Sequence, residues 1–561
     1  MTDVVLVGLG GANGIAALEL TQAGLDVVAL EAGPERAASE MRSDEIRNDV
    51  REWLAAPKAH GEVPTWRSHA DEPAGPSPWP MLMVNAVGGS TVHYPGLSAR
   101  FAPWTFRGRS ATEERYGADA IPSDSTLADW PLSYDELEPD YEWVEQTIGV
   151  AGQAGEGGRA FEGPRRSGYP LPPLRRSGWT ELMDGAAREL GWHPYPAPAA
   201  INSVPHEGRA ACTYCGFCTS NGCHVNAKGS TDQNVIPRAL ATGRLRVETD
   251  ARVTRIEVGP DGRASGVRWI RDGVERVLSA RVVLVGTFTY ENTRLLLKSA
   301  SPAFPNGLAN NAGQVGRHYI AHVTPFAYGL FPDKRLNLFS GLWAQATCVD
   351  DFDADHFDHA GEGFIGGGLC TASHELKPIG LARAPLPPGV PRWGSGWKQW
   401  FARNAQSIGV VGAQFDTLPY EHNVLDLDPN VRDAHGDPVV RVTFRPGENE
   451  RRGAAFMLER LHAWLGAAGA EQTWTTPHLP IEPRHCYGGT RMGDDPATSV
   501  VDRHGFAHEV PNLGVLGASV FPTAGGHNPT LTVQALARRT ARHLAANWSG
   551  RASADTDRVI G

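Results

Sequence analysis

Apolar runs and helical spacings frame both ends of this chain. Val4-Val5-Leu6-Val7 is a short run of strand type, followed by the glycine-rich turn Gly8-Leu9-Gly10-Gly11-Ala12-Asn13-Gly14 and the small-residue helical segment Ile15-Ala16-Ala17-Leu18. After Gly24 a second apolar run, Val27 to Leu30, ends in Glu31. At the far end Val533, Ala537, Ala541 and Leu544 recur at helical spacing and predict a helix with one buried face. Asn528 reads as its N-cap and Pro529 as its first helical residue. Between these ends, Arg252 to Val258 and Ser265 to Ile270 alternate like hairpin strands around Pro260-Asp261-Gly262. Val282 to Val285 predicts a buried strand, with a helix running on through Leu297; Val439 to Thr443 predicts another strand and Ala454 to Leu465 an amphipathic helix. Residues 105–200 are rich in Pro, Gly and Arg, show few long periodic stretches, and read as excursions away from the N-terminal sheet.

The N-terminal order of strand, glycine turn, helix, strand and acidic residue is that of a dinucleotide-binding unit. Gly8 permits the tight turn, Gly10 lets backbone approach a pyrophosphate, and Glu31 can accept from ribose hydroxyls. Asn13 stands at the third glycine position and Gly14 comes one residue late. The C-terminal end carries the other chemistry. His485 opens His485-Cys486-Tyr487-Gly488-Gly489-Thr490-Arg491-Met492-Gly493, and Asn528 opens Asn528-Pro529-Thr530-Leu531-Thr532. An imidazole and a carboxamide at such turns can hold a substrate hydroxyl from two sides, and imidazole suits proton transfer near neutral pH. The helix beginning beside Asn528 directs partial positive charge toward its guest, which favours a reduced, anionic flavin.

Composition narrows the field. With 561 residues the chain can bury a large core and is expected to fold as two domains. The net charge of −11, without a long single-sign run, argues against nucleic acid or an anionic membrane surface as partner. No apolar stretch is long enough to span a bilayer. The early first strand predicts no secretory leader, and the seven cysteines then read as reduced thiols of a cytoplasmic protein. The 64 glycines and 42 prolines show no repeat period.

These motifs, taken in order, resemble the glucose-methanol-choline (GMC) oxidoreductases, FAD enzymes with a shared fold. The resemblance covers the glycine turn with Glu31-Ala32-Gly33, then Val87-Gly88-Gly89-Ser90-Thr91-Val92-His93-Tyr94 and Trp130-Pro131-Leu132-Ser133-Tyr134-Asp135-Glu136-Leu137. It continues through Thr293-Arg294-Leu295-Leu296-Leu297 and Gly517-Ala518-Ser519-Val520-Phe521-Pro522 to Asn528. The Gly-Gly-Thr-Arg-Met-Gly and Asn-Pro-Thr-Leu-Thr strings are most similar to pyranose oxidases and bacterial glycoside 3-oxidases.

The resemblance implies a mixed α/β and α+β fold: a Rossmann-like FAD-binding domain with a discontinuous, sheet-based substrate-binding domain. The FAD domain would use residues 1–104, 201–320 and 483–561, and the substrate domain 105–200 and 321–482. Cofactor contacts would come from Gly8, Gly10, Gly11, Asn13, Gly14, Glu31, Gly88, Gly89, Ser90, His93, Val253, Ser519, Asn528, Pro529 and Thr530. The implied reaction is hydride transfer to FAD from a secondary alcohol of a sugar or glycoside, at the second or third ring carbon. His485 would be the base and Asn528 would bond the same oxygen. Oxygen would be reduced to hydrogen peroxide, or else a quinone or protein would take the electrons. A lyase that keeps FAD as a structural relic is a third class in this family. In pyranose oxidases a His matching His93 bonds covalently to the flavin; in many relatives it only packs against the ring.

Two segments stay open on the sequence. Cys212, Cys215, Cys218 and Cys223, followed by His224, have spacing that suits a metal or iron–sulfur site. Reduced cysteines in a tightly packed loop are the favoured reading, and no metal is expected. Trp397, Trp400 and Phe401, with Trp393 ahead of them, have helical spacing and suit a lid over a sugar, a core-facing helix or an oligomer contact. Oligomeric state is not encoded in any motif.

Overall fold

The computed structural model describes residues 2–77, 83–475 and 481–548. Its organising element is the strand Thr2–Val7, which pairs in parallel with Val27–Leu30 on one side (Val4 opposite Val27) and Val274–Val285 on the other (Val4 opposite Val282). A strand flanked on both edges and covered on both faces can be apolar throughout. Val4 to Val7 are accordingly buried without a polar interruption. Leu245–Glu248 and Leu513–Val515 extend the parallel part. Val274–Val285 then turns antiparallel to Ala264–Arg271, which pairs with Arg252–Val258 across the expected turn.

Helix Gly11–Gln22 packs against the C-terminal helix Thr530–Ala546, which also receives helix Tyr134–Ile148. The ordered helices inside residues 105–200 are a departure from the sequence reading. Local capping explains them. The Ser133 hydroxyl accepts from the Glu136 amide while the Glu136 carboxylate accepts from Ser133 N–H, and Ser177 opens Gly178–Glu189 in the same way with Thr180. Pro139 lies inside Tyr134–Ile148, beyond the first-turn amides that lack helical acceptors, and the helix continues through it with one backbone hydrogen bond given up.

A second sheet of eight antiparallel strands forms the other half. Its centre is Ile408–Phe415, bordered by Phe326–Leu330 and Gly368–Ala372, and helix Glu448–Ala467 covers one face through Met457, Leu461, Trp464 and Leu465. The edge that meets the first half is the pair Ile320–Val323 and Ile481–Tyr487. Here Ala321 opposes Cys486 but His322 opposes Glu482, so residues 483–485 bulge between two consecutive partners. Such an irregularity re-aims side chains out of the ladder. A third, smaller sheet joins Val424–Arg432 and Pro438–Thr443 to Thr65–Arg67 and Gly75–Pro76. No helix among the described residues is long and apolar enough to cross a membrane.

Buried ion pairs tie the loops of residues 100–170 together. Arg100, wholly inaccessible, donates to both oxygens of Glu145 at 2.9 and 2.8 Å and to Glu138 at 3.0 Å; Arg165 reaches the same Glu145. Removing one partner of such a set strands the others without compensation. Arg100→Met is therefore expected to destabilise the fold by about 3–5 kcal/mol, read as a lower denaturant midpoint; an unchanged midpoint would contradict this account of the network.

Candidate active site

Where the two sheets meet lies a cavity of about 390 Å³. One end is built by the first strand and its turn. Val7, Gly8, Leu9, Gly10, Gly11 and Ala12 line it, with Leu30, Glu31 and Ala32 from the second strand. No side chain caps helix Gly11–Gln22, so its first-turn amides and dipole remain available to a ligand. The turn is pressed against Gly89. A Cβ on Gly89 would come within 2.9 Å of the Gly10 Cα, and Gly89 has φ +52°, so glycine is required there twice over.

Both carboxylate oxygens of Glu31 accept backbone bonds, from Leu9 N–H at 2.8 Å and Gly33 N–H at 2.9 Å. Burial pushes this carboxyl up to about 7, against the opposing pull of those amides and of Lys58. Beside it stands a wall of paired charges. Lys58 bridges Glu62 and Glu291, while Arg294 contacts Glu62, Glu291 and Asp433. Burial alone would raise the Glu291 carboxyl, but Lys58 and Arg294 outweigh it and hold the group below the ordinary range. Sequence reading had not found this wall, because its members are scattered from residue 58 to residue 433.

The other end belongs to the C-terminal segments. The bulge turns the half-buried His485 toward the cavity, and its Nε2 lies 3.2 Å from Asn528 Nδ2. Asn528 Oδ1 accepts from Gln414 Nε2 at 3.0 Å. Behind His485, its Nδ1 stands 3.2 Å from Nδ1 of His322. Thr324, Phe326, Trp343, Thr371 and Arg484 complete the lining at this end. The arrangement can hold one oxygen between an imidazole nitrogen and an amide N–H, within reach of whatever occupies the glycine-turn end.

Of the residues expected at the cofactor, Gly8, Gly10, Gly11, Glu31, Gly89, Ser90, His93, Val253, Asn528, Pro529 and Thr530 line this one cavity. Asn13, Gly14, Gly88 and Ser519 stand outside the lining and support it. Asn13 donates from Nδ2 to the Val7 and Gly8 carbonyls, which buttresses the turn where a third glycine is usual. Gly14 lies so close to Thr231 that a Cβ would reach 2.8 Å from that side chain. Gly88 takes φ +94° ahead of the Gly89 turn. Ser519 accepts from Asn292 Nδ2 at 2.8 Å.

The helix cap differs from expectation. Helix Thr530–Ala546 is preceded by Pro529 at the N-cap, and Asn528 lies one residue outside it. Its carboxamide is held by Gln414 and His485, so it does not turn back on the helix. Gln414 and His322 were not identified from sequence. Gln414 left one trace, as the lone hydrogen-bonding side chain in the apolar run Ile408–Phe415; nothing marked His322.

The two open segments lie beside this site. The cysteine loop packs directly behind the His93 segment. Ser220 N–H donates to the His93 carbonyl, and the buried Lys228 ammonium binds the carbonyls of Val92, Cys218 and Asn221. Burial pushes the Cys212 thiol up to about 11 and raises Cys215 and Cys218 as well. Among the described residues no three His, Cys, Asp or Glu groups stand together as a metal site. Helix Gly394–Asn404 packs Trp400 and Phe401 on the second core, leaves Trp393 84% exposed, and contributes no residue to this cavity.

An uncapped helix N-terminus, a glycine turn that excludes Cβ atoms and a buried acceptor for ribose hydroxyls fit a pyrophosphate-linked dinucleotide such as FAD. Comparison with known proteins agrees. The GMC oxidoreductase family pattern matches residues 419–537. The chain is 34% identical to the gluconate 2-dehydrogenase flavoprotein of Pantoea cypripedii, over 97% of its own length and 93% of that protein. It is 37% identical to the C-glycoside 3-oxidase of Arthrobacter globiformis over 306 residues, 53% of this chain and 52% of that one. Pyridoxine 4-oxidase of Mesorbium loti shares the fold, with a TM-score of 0.63 at 18% identity over 97% of this chain and 99% of that one. By its end-to-end likeness to the Pantoea flavoprotein, this chain belongs to the GMC oxidoreductase family.

Proposed function

We propose that this protein is an FAD-dependent oxidoreductase that converts a secondary alcohol of a sugar or glycoside, at the second or third ring carbon, into a ketone. The observation that carries the reading is the 3.2 Å approach of His485 Nε2 to Asn528 Nδ2 on the wall of the cavity that Glu31 and the glycine turn also line. Gly8 to Ala12, Glu31, Gly89, Ser90 and Val253 would hold FAD, which when bound would supply a two-electron acceptor for the carbinol hydrogen.

The protein's own residues do the rest. His485 Nε2 takes the hydroxyl proton, which makes the carbinol hydrogen easier to release with its electron pair. Asn528 donates from Nδ2 to the same oxygen and fixes its direction, while Gln414 keeps that amide from rotating. Trp343 and Phe326 offer flat apolar surface to a ring, and Thr324 and Thr371 add hydroxyls.

Oxygen is the proposed acceptor, giving hydrogen peroxide. The near-complete likeness to a dehydrogenase flavoprotein favours, as a second reading, a quinone or protein acceptor.

Anaerobic titration of the yellow protein with D-glucose, D-gluconate and methyl β-D-glucoside, followed by air, tests these readings together. Bleaching of the flavin is expected, with peroxide on reoxidation; no bleaching by any of them would contradict a sugar substrate. His485→Ala is expected to keep its flavin and lose roughly two to four orders of magnitude in turnover, and a wild-type rate would remove His485 from the mechanism. Glu31 makes cofactor binding pH-dependent. Its buried carboxyl is about half protonated near pH 7, whereas ribose hydroxyls donate to the ionised form, so binding releases a proton. In a His93→Ala background, which cannot form the covalent bond proposed below, affinity of the apoprotein for FAD should rise as pH climbs through about 7. Adding Glu31→Gln should abolish that rise, and a flat profile with Glu31 present would contradict it. We further propose that His93, which lines the cavity, would bond covalently to a methyl carbon of the flavin ring in place of a C–H bond, the ring itself taking the two electrons released and passing them to oxygen; flavin staying with acid-precipitated protein is expected, and quantitative release would exclude the bond.

A further inference from the structure

We propose that His322 is a positioning residue that sets which nitrogen of His485 carries the proton. The inference rests on the reading of His485 as base and extends it to a residue outside the assigned pair. The His322 ring is wholly buried, and its Nε2 lies 2.8 Å from the Gly525 carbonyl oxygen. A carbonyl can only accept, so Nε2 bears the hydrogen, and Nδ1 of the neutral ring is an acceptor. That Nδ1 faces Nδ1 of His485 at 3.2 Å. His485 therefore donates from Nδ1 and keeps a lone pair on Nε2, the nitrogen beside Asn528 in the cavity.

The opposite end of the chain of bonds requires the same tautomer. Asn528 Oδ1 receives the Gln414 amide, so Asn528 presents Nδ2 to His485, and only an unprotonated Nε2 can accept from it. A backbone carbonyl at one end and a side-chain amide at the other thus agree on one arrangement. The reversed tautomer would set N–H against NH₂ and leave no base facing the substrate.

The relay does more than orient. When Nε2 takes the substrate proton, the bond from His485 Nδ1–H to His322 becomes charge-assisted, which strengthens it. His322 therefore raises the proton affinity of Nε2 at the step where it is needed. The anchor also couples the two members of the pair, since Gly525 lies on the loop Gly525-Gly526-His527-Asn528 that delivers the amide. The Tyr487 hydroxyl, 3.2 Å from His322 Nε2 and 3.4 Å from Nδ1, lies against the same ring from the neighbouring strand. The bulge in the ladder is what lets the two imidazoles meet edge to face, with ring planes 83° apart.

The test uses FAD-loaded protein and three variants: His322→Phe, which fills the ring's space without an acceptor; His322→Asn, which retains one near Nδ1; and His485→Gln. Flavin content, melting midpoint and the pH profile of anaerobic flavin reduction are measured with the fastest of the three sugars above. His322→Phe is expected to lose roughly 10–100-fold in rate and to move the acid limb of its profile to lower pH, while His322→Asn recovers most of both. A His322→Phe variant with wild-type rate and acid limb, beside a crippled His485→Gln, overturns the inference and spares the base. A wild-type rate in His485→Gln overturns the base itself. Where His322→Phe loses its flavin or its fold, ¹⁵N-histidine spectra of the wild type decide: the resonance missing from His485→Gln should show Nδ1 protonated and Nε2 bare, and the reverse tautomer overturns the proposal.

Discussion

The contact on which the site depends is the hydrogen bond between Asn528 and His485, because it joins two parts of the chain that have no local reason to meet. His485 comes from an edge strand of the second sheet, and Asn528 from the loop leading into the helix that packs against the first. Each partner is restrained from behind, His485 by His322 and Asn528 by Gln414. An imidazole alone at a cavity wall would rotate and tautomerise freely. Here four polar side chains in sequence leave one lone pair facing inward.

Irregular backbone is the means by which the fold delivers this geometry. A regular ladder continued from the Ala321–Cys486 pair would have set His485 opposite His322; the bulge releases His485 from that pairing and turns it toward the cavity. At the other end the turn after the first strand depends on a close approach between Gly10 and Gly89 that no side chain permits. Between them the wall of Lys58, Glu62, Glu291 and Arg294 pairs cation with anion inside the protein. Charges so paired can line a buried cavity, where a single unmatched one would be expelled or neutralised.

The nucleotide half was legible in the sequence because its determinants are contiguous. Strand, glycine turn, helix and Glu31 occupy the first residues in order, and the parallel pairing of Val4 with Val27 follows directly from that unit. The hairpin around Pro260-Asp261-Gly262 was readable for the same reason. His485 and Asn528 were found through their glycine- and proline-bounded strings. Their immediate supports were not, since His322 and Gln414 are single polar residues within buried strands, and only the tertiary register shows what they face. Asn528 was misplaced by one residue as a helix cap because local propensity cannot register a competing amide from Gln414. Helices in residues 105–200 escaped notice because their capping pairs were hidden among prolines and glycines.

The most direct measurement is a crystal structure of the FAD-loaded protein with a bound sugar or an alcohol-like inhibitor. The account predicts one ligand oxygen within about 3.2 Å of both His485 Nε2 and Asn528 Nδ2, beside the reactive nitrogen of the isoalloxazine ring. A ligand oxygen held elsewhere, or a flavin whose reactive edge faces away from these two side chains, would contradict it.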